Sequence, residues 1–207
     1  NFSEKLKWIH FGSAGIDDSL FPAILKSKTI ITNARGIHAS PVSEFVIGKM
    51  LYLSKQFKGC EKFLKNKEWT QWKLARQTIQ LKGKTIGIIG FGQIGKAIAK
   101  KAKAFDMHVI ATRRLQKKVE QKKTVNELIP LSDLDYLLTN SDYVVIACPL
   151  TPFTKGMIGK KELNKMKSTS FIINIARGAI IDELAMIQAL QNKHIAGAGL
   201  DVFDNEP

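Results

Sequence analysis

The feature that most constrains the fold is a series of short apolar runs in the second half of the chain. After Leu81, five runs of strand length are almost continuously apolar: 85–89, 108–112, 143–147, 171–175 and 198–202. Helical patterns lie between most of them. A parallel sheet covered by helices on both faces needs strands of this kind, because neither face of the sheet is exposed to water. The sequence therefore predicts an α/β fold with a doubly wound parallel sheet.

A glycine-rich segment follows the first of these runs. Gly90, Gly92 and Gly95 form the pattern GxGxxG between that run and a helical pattern. In this context the pattern is typical of a dinucleotide-binding turn. Its glycines allow a tight turn, a close approach of the pyrophosphate to the backbone, and close packing of helix on strand. The N–H groups of Gln93 and Ile94 are the predicted anion donors, and a purely structural turn is the alternative.

The end of the next strand bears on the choice between NAD(H) and NADP(H). An NAD site usually has Asp or Glu near the adenosine ribose, but here Arg113 and Arg114 directly follow Thr112. Guanidinium groups pair with a 2′-phosphate through charge-assisted hydrogen bonds, whereas a carboxylate would repel it. These residues favour NADP as the cofactor, with NAD and a merely basic strand end as the alternatives.

Two further strand ends carry candidate site residues. Cys148 and Pro149 follow the third apolar run, and Ile175, Ala176 and Arg177 lie at the end of the fourth. Ligands of doubly wound sheets bind outside the carboxyl ends of the strands, so both segments are expected to face the crevice beside the glycine-rich segment. Burying an arginine among apolar neighbours is costly without an anion. Arg177 is therefore predicted either to form an internal salt bridge or to bind a carboxylate substrate.

With these residues in view, nearly the whole chain resembles the D-isomer-specific 2-hydroxyacid dehydrogenases, a family that includes phosphoglycerate dehydrogenase, glyoxylate/hydroxypyruvate reductase and formate dehydrogenase. The resemblance rests on the order and spacing of four segments: Ser-Ala-Gly-Ile-Asp at 13–17, the glycine-rich segment, Asn-Ile-Ala-Arg-Gly at 174–178, and Gly-Leu-Asp-Val-Phe-Asp-Asn-Glu-Pro at 199–207. It implies a Rossmann-like fold and an oxidoreductase that transfers a hydride between a nicotinamide cofactor and a small D-2-hydroxy acid or 2-keto acid. A catalytically inactive dinucleotide-sensing or scaffold relative is the alternative.

The resemblance also implies roles for individual residues. Arg177 matches the arginine that holds the substrate carboxylate, and Glu206 matches the catalytic glutamate. Ala14 and Gly15 match backbone donors to the same carboxylate. The positions expected to contact the cofactor are Gly90, Gly92, Gln93, Ile94, Gly95, Thr112, Arg113, Arg114, Cys148, Pro149, Ile175, Ala176 and Asp201.

In the family, the acid/base is a histidine that pairs with the glutamate and lies downstream of it. Here the sequence ends one residue after Glu206, and no histidine that is present matches that position: His10, His38, His108 and His194. The sequence also begins at Asn1, just before a strand-like segment. We therefore expect a piece of a longer protein, with the histidine and most of the substrate domain elsewhere.

The first part of the chain predicts a different unit. Residues 1–36 indicate strand, turn and strand, which we interpret as the remnant of a smaller α/β substrate domain, and residues 37–207 as the dinucleotide-binding domain. Ser40 offers an N-cap with Pro41 at the first helical position. The repeat of apolar residues after them predicts one long helix over about 40–64.

This helix has more apolar surface than one packing partner needs. Phe45, Ile47 and Leu51 lie outside its main apolar face. Burial within its own domain and contact with a second subunit both explain that surface. The resemblance of the segment to the family's dimerisation arm favours a homodimer.

Composition limits the other classes of function. The chain has 32 Lys and Arg against 18 Asp and Glu, a net charge of +14, but its lysines are spread along the sequence. Clusters such as Lys117, Lys118, Lys122 and Lys123 are interpreted as solvated faces beside helical patterns, so no nucleic-acid partner is expected. No apolar run is long enough to span a membrane and no leader is visible, which favours a cytoplasmic protein. Two distant cysteines predict neither a disulfide framework nor a metal site.

Overall fold

A computed structural model of the chain describes residues 5–16, 19–69 and 71–206. Asp17, which belongs to the first motif quoted above, lies outside the described residues. The described residues form two sheets, one of two strands and one of seven.

The two-stranded sheet lies in the first part of the chain. Strand β1 (Trp8–Phe11) pairs in parallel with β2 (Ile30–Asn33), and the short helix α1 (Pro22–Leu25) lies in the connection between them. Parallel strands need such a crossover, because a tight turn joins only antiparallel neighbours. The predicted strands are therefore present, with a helix in what the sequence indicated as a turn.

Three helices follow this small sheet: α2 (Ala39–Ser54), α3 (Phe57–Lys65) and α4 (Gln71–Ala75). The prediction of one continuous helix over 40–64 was wrong. Gln56 adopts a left-handed conformation with φ 57°, which ends the regular hydrogen bonding of α2 and turns the chain into α3.

The predicted N-cap of this segment was also wrong. Helix α2 begins at Ala39, and His38 occupies the N-cap position without a side-chain hydrogen bond. The Ser40 hydroxyl lies inside the first turn, where it donates to the Glu44 carboxylate at 2.8 Å. Ser40 and Pro41 therefore lie two helix positions later than the sequence indicated.

The seven-stranded sheet confirms the predicted fold class. Its strands run in the order β5-β6-β4-β3-β7-β8-β9, and β5 alone is antiparallel to its neighbour. The strands are β3 (Thr85–Ile89), β4 (His108–Arg113), β5 (Glu120–Lys122), β6 (Val125–Pro130), β7 (Tyr143–Ile146), β8 (Phe171–Asn174) and β9 (Gly197–Leu200). The chain turns from one side of β3 to the other between β6 and β7, which makes the gap between β3 and β7 the topological switch point.

Helices cover both faces of this sheet. They are α5 (Gln93–Ala104), α6 (Leu134–Asn140), α7 (Lys160–Leu163) and α8 (Glu183–Gln191). Helices α2 and α5 pack on one face through residues such as Met50 and Ile98. Helices α6, α7 and α8 pack on the other through Leu137, Leu163 and Ala185.

The additional apolar residues of α2 pack within this chain, Ile47 buried and Phe45 and Leu51 partly buried. Ile47 belongs to the core formed with α5, and Phe45 and Leu51 pack against it. This supports burial in the helix's own domain as the reason for its wide apolar surface. The surface of α2 therefore gives no separate indication of a second subunit.

The hairpin of β5 and β6 was not expected from the sequence. Lys122 lies in β5 and Lys123 in the turn that follows, so the interpretation that this lysine cluster lies in or beside a helical pattern was wrong. The lysines are nevertheless exposed, as that interpretation required.

Within the described part of the chain, no helix is both long and apolar enough to cross a membrane. The same residues contain no group of three or more His, Cys, Asp or Glu side chains arranged to hold a metal ion.

Candidate functional site

The predicted site segments meet at one edge of the large sheet. Strands β4, β3, β7, β8 and β9 are parallel neighbours, so their carboxyl ends share that edge. The pairing in register of Ile89 with Thr112 and Ile146, and of Asn174 with Ile146 and Leu200, aligns the ends closely. The glycine loop, the Arg113 strand end, Cys148 and the Arg177 turn therefore line one crevice at the switch point.

Two glycines of the loop are required by packing. Gly90 has φ 106°, and a Cβ there would lie 2.7 Å from the Cys148 backbone nitrogen. A Cβ on Gly95 would lie 2.2 Å from the Gly90 carbonyl oxygen. A Cβ on Gly92, in contrast, would meet nothing within 4 Å. The open space at Gly92 fits a ligand group that approaches the backbone.

The first turn of α5 completes this anion site. Gly92 is the N-cap residue and has no side chain with which to cap the helix. The first N–H groups of a helix have no partner within it, and they lie at the positive end of the helix dipole. Gln93 and Ile94 begin the helix, which continues for 12 residues. These donors and the space at Gly92 fit a pyrophosphate.

Thr112 holds the glycine loop from the neighbouring strand. Its side chain is buried, and its Oγ1 accepts a hydrogen bond from the Gly90 N–H at 3.3 Å. The Phe91 N–H donates to the Thr112 carbonyl oxygen at 2.9 Å. The Thr112 hydroxyl, at a position predicted to contact the cofactor, thus has a hydrogen-bond partner within the protein.

Arg113 and Arg114 stand at the end of β4 and are exposed. Neither forms a salt bridge with a residue that the structure describes. The Gln116 N–H donates to the Arg113 carbonyl oxygen at 3.0 Å, which turns the chain away from the strand. Both guanidinium groups are therefore available to an anion in solution.

Cys148 lies against the glycine loop between the two ends of the crevice. It is half-buried, and this burial raises the pKa of its thiol to about 11. The thiol is consequently uncharged at neutral pH. After it, the Pro149 carbonyl oxygen accepts a hydrogen bond from Thr154 Oγ1 at 2.7 Å, which fixes the turn beyond the strand.

The Arg177 turn is held by the buried side chain of Asn174. Its Nδ2 donates to the Arg177 carbonyl oxygen at 2.9 Å, and its Oδ1 accepts from the Ala176 N–H at 3.0 Å. Arg177 itself is half-buried with an extended backbone, and its Nη1 donates to the Ala176 carbonyl oxygen at 2.8 Å. The strand end and the turn therefore form one rigid piece.

The segment that carries Glu206 packs directly on this turn. A Cβ on Gly178 would lie 1.9 Å from the Phe203 carbonyl carbon, so only glycine fits there. The Asp201 N–H donates to the Asn174 carbonyl oxygen at 3.0 Å. Glu206 is exposed, and its Oε1 accepts from the Phe203 N–H at 3.0 Å.

Asn174 and Gly178 were missed as site residues by the sequence reasoning. The available signal was their position beside Arg177 in the motif at 174–178.

The predicted substrate-binding loop follows strand β1 of the small sheet. The Asn33 side chain donates to the Ala14 carbonyl oxygen at 2.8 Å, and the Ser13 hydroxyl donates to the Gly15 carbonyl oxygen at 2.8 Å. Both carbonyl groups are thus turned toward partners within the protein. The N–H groups of Ala14 and Gly15 have no acceptor among the described residues, which suits donors to a carboxylate.

A histidine–carboxylate pair does occur, but at the wrong edge of the sheet. His108 Nε2 lies 2.8 Å from Glu127 Oε1, and the Tyr136 hydroxyl donates to Glu127 Oε2 at 2.9 Å, which raises the pKa of Tyr136. His108 begins β4 and His194 precedes β9, so both stand at the amino ends of strands. Neither of these two histidines belongs to the crevice.

Comparison with known proteins identifies the family. Residues 47–207 match the sequence profile described as "D-isomer specific 2-hydroxyacid dehydrogenase, NAD binding domain". This span contains the glycine loop, the Arg177 turn and Glu206. The chain belongs to the D-isomer-specific 2-hydroxyacid dehydrogenase family. The resemblance based on the four sequence motifs is thereby confirmed.

Individual dehydrogenases of the family agree with this assignment. The chain is 36% identical over 208 residues to a glyoxylate reductase of Thermococcus litoralis, covering 98% of this chain and 62% of the relative. The structure matches an NAD-dependent formate dehydrogenase of Staphylococcus aureus in complex with NAD (TM-score 0.82, 27% identity, 99% of this chain and 60% of that chain). It also matches a D-isomer specific 2-hydroxyacid dehydrogenase of Xanthobacter autotrophicus in complex with NADPH and MES (TM-score 0.84, 28% identity, 98% and 62%).

This chain therefore spans about three fifths of the length of these dehydrogenases. Nicotinamide-dinucleotide binding is the shared property of the matched domain. One of these solved relatives holds NAD and the other NADPH, so family membership does not decide between the two.

Proposed function

We propose that the protein reduces a small 2-keto acid to the D-2-hydroxy acid, and catalyses the reverse reaction, with NADP(H) as cofactor. The observation that carries this proposal is the fixed Arg177 turn at the same sheet edge as the glycine loop. An arginine held there can place a carboxylate beside a bound dinucleotide. The name glyoxylate reductase, borne by a relative, supports a small 2-keto acid as substrate.

The proposed chemistry assigns a task to each group. The bound nicotinamide supplies or accepts the hydride. The planar guanidinium of Arg177 pairs with the substrate carboxylate, together with the N–H groups of Ala14 and Gly15, and this fixes the position of the carbonyl carbon. Glu206 orients the histidine that the family resemblance places downstream of it, and that histidine donates a proton to the carbonyl oxygen as negative charge develops there.

The preference for NADP(H) is supported by Arg113 and Arg114. Both are exposed at the strand end where the adenosine ribose of a dinucleotide lies in this fold. A 2′-phosphate carries nearly two negative charges and accepts charge-assisted hydrogen bonds from guanidinium groups. No carboxylate occupies the strand end to bind the ribose hydroxyls of NAD(H) in the usual way.

The proposal includes a homodimer. Helices α3 and α4 enclose an apolar groove of about 570 Å³ whose lining includes Phe63, Leu64, Trp69 and Leu74. Leu64 is 81% exposed, Trp69 89% and Trp72 74%. Apolar surface of this size is costly in water, and a second copy of the chain would cover it.

We also propose that the chain divides into two domains between residues 36 and 37, with residues 1–36 belonging to the substrate domain.

The function is tested with the full-length protein. Glyoxylate, hydroxypyruvate and pyruvate are offered with NADPH and with NADH, and oxidation of the cofactor is followed by its absorbance. We expect turnover of at least one acid, a higher kcat/KM with NADPH, and oxidation of D- but not L-2-hydroxy acids. Binding of the dinucleotide without turnover of any acid would instead support the sensing or scaffold alternative.

A further inference from the structure

Asn174 is the buried polar residue at the end of β8, with 1% of its surface exposed. Every hydrogen bond of its side chain ends on the two residues that lead into the substrate side of the crevice, Ala176 and Arg177. A buried amide side chain must be paired, because loss of one partner leaves a desolvated polar group. The amide is therefore stable in this place only when the turn has this shape.

The two bonds fix opposite sides of the turn. Asn174 Oδ1 accepts a hydrogen bond from the Ala176 N–H, and Asn174 Nδ2 donates one to the Arg177 carbonyl oxygen. The Arg177 carbonyl oxygen also accepts from the Ile180 N–H at 3.3 Å, at the start of a 3₁₀ turn over Gly178–Ile180. The backbone of Arg177 is thus held on both sides, which limits the directions its guanidinium group can take.

The same residue connects the turn to the Glu206 segment. The Asn174 main-chain carbonyl accepts from the Asp201 N–H at 3.0 Å. Gly178, the residue after Arg177, lies so close to Phe203 and Asp204 that a methyl group would overlap their backbone. Any displacement of the turn would therefore displace the chain that leads to Glu206.

We propose that Asn174 is a positioning residue, which sets the direction of Arg177 toward the substrate carboxylate and, with Gly178, the distance between Arg177 and the Glu206 segment. This inference rests on the proposed function, since it concerns how Arg177 meets a substrate. A purely structural Asn174 would stabilise the end of the sheet without affecting one ligand more than another.

Asn174→Asp separates the two roles within a single side chain. The carboxylate keeps an acceptor for the Ala176 N–H, and the main chain keeps the acceptor for Asp201. The donor to Arg177 is lost, and an oxygen is placed against the Arg177 carbonyl oxygen. The variant therefore disturbs the substrate side of the turn and leaves in place the hydrogen bond of Ala176, one of the predicted cofactor contacts.

The experiment compares substrate and cofactor constants in the full-length protein. In Asn174→Asp we expect KM for glyoxylate to rise about tenfold or more and kcat to fall, because one buried hydrogen bond to Arg177 is lost. The dissociation constant for NADPH should stay within about twofold. In Asn174→Ala both the KM for glyoxylate and the dissociation constant for NADPH should rise, because the Ala176 N–H loses its acceptor as well.

Asn126 provides the matched control. Its Oδ1 accepts from the Val109 N–H at 2.9 Å and from Lys103 Nζ at 3.2 Å, the same kind of bond at the amino edge of the sheet. Asn126→Ala should lower the midpoint temperature of unfolding and leave the KM for glyoxylate and the dissociation constant for NADPH unchanged.

Gly178→Ala should lower kcat, because the added methyl group displaces the chain segment that leads to Glu206.

Binding of oxalate to the complex with NADPH is measured in parallel, since it needs Arg177 but no reaction. A rise in the oxalate dissociation constant of Asn174→Asp, without a rise for NADPH, supports the proposal. In Asn174→Asp, an unchanged glyoxylate KM and oxalate affinity, or a parallel loss of glyoxylate, oxalate and NADPH affinity, would overturn it. Wild-type protein that binds oxalate but reduces no 2-keto acid would contradict the proposed function instead, and the oxalate comparison would still decide the role of Asn174.

Discussion

The two ends of the crevice are built in opposite ways. At one end Arg177 is half-buried and its backbone is held by Asn174 on both sides. At the other end Arg113 and Arg114 are exposed on a strand end and form no salt bridge within the described residues. An arginine that is held in place can contribute geometry, whereas an exposed one contributes mainly charge. Substitutions that keep the charge should therefore be costly at the first end and mild at the second.

The largest effect is expected for Arg177→Lys in the full-length protein. Lysine keeps the charge but lacks the planar fork, so a bidentate contact with the substrate carboxylate is lost. Charge-assisted hydrogen bonds contribute roughly 1.5–3 kcal/mol each, and kcat/KM should fall about a hundredfold, with KM raised and kcat lowered. Steady-state kinetics with glyoxylate measure this change.

Arg76 supplies the control for that substitution, because it is an exposed arginine just after α4 and outside the crevice. Arg76→Lys should leave the kinetic constants as they are. If Arg177→Lys behaved like Arg76→Lys, Arg177 would be a structural arginine, and the first half of the comparison would fail.

The exposed end is tested by Arg113→Asp and Arg113→Lys. The aspartate removes an attraction for the 2′-phosphate and adds a repulsion, so the preference for NADPH over NADH should fall by about tenfold or more and reverse. Lysine keeps the charge, and the preference for NADPH should be retained. Ratios of kcat/KM for the two cofactors report both results. Equal ratios in wild type and Arg113→Asp would show that these guanidinium groups do not meet the cofactor.

A third, smaller effect distinguishes the two ends of the crevice by the dependence of cofactor binding on salt concentration. Exposed charges are screened over about 8 Å at physiological ionic strength and over about 3 Å at 1 M salt. The dissociation constant for NADPH should therefore rise severalfold with added potassium chloride, and the one for NADH should rise less. Titrations followed by nicotinamide fluorescence provide the measurement. A parallel rise for both cofactors would place the salt-sensitive contacts at the shared pyrophosphate.

The smallest effect concerns Cys148, which lies between the two ends. Burial raises the pKa of its thiol to about 11, above the ordinary value of 9.0. The thiol therefore holds its proton more tightly in the folded protein than in the unfolded chain. The resulting stability is present below about pH 9 and is lost as the pH rises toward 11. We expect Cys148→Ala to reduce the loss of stability between pH 8 and pH 10 by about 1 kcal/mol.

Chemical denaturation at the two pH values measures that difference. Cys60 is exposed, and Cys60→Ala is the matched control, which should leave the pH dependence as in wild type. Identical pH dependence in both variants would mean that the Cys148 thiol is accessible to water in solution.

The parts of the fold that were predicted depend on local patterns. Apolar runs such as 143–147 must be buried on both faces, and this requirement is visible in the sequence itself. The β5–β6 hairpin was missed because Glu120–Lys122 is polar throughout and forms a strand only by pairing with β6. The break at Gln56 was missed because its left-handed backbone is marked by neither glycine nor proline.

The site shows the same difference between features set by local sequence patterns and features set by contacts between distant segments. The requirement for glycine at position 95 comes from the Gly90 carbonyl group within one strand–turn–helix unit, so the motif was sufficient to predict it. The motif also predicted Gly90, whose positive φ belongs to that turn, although the atoms that exclude a side chain there belong to Ala147 and Cys148. Gly178 instead meets Phe203, which is distant in sequence, and Asn174 acts through backbone atoms whose arrangement no motif specifies. Contacts between separate chain segments become visible only in the folded protein.

The short strand β5 also has a consequence for self-association. Without it, β6 would present unpaired backbone N–H and C=O groups on an apolar edge, and such edges recruit strands from other molecules. β5 covers that edge with Glu120–Lys122, pairs irregularly between Glu120 and Lys122, and carries an exposed lysine. A strand this short and charged is a poor template for intermolecular pairing. The hairpin thereby protects a sheet rich in β-branched residues from aggregation at its outer edge.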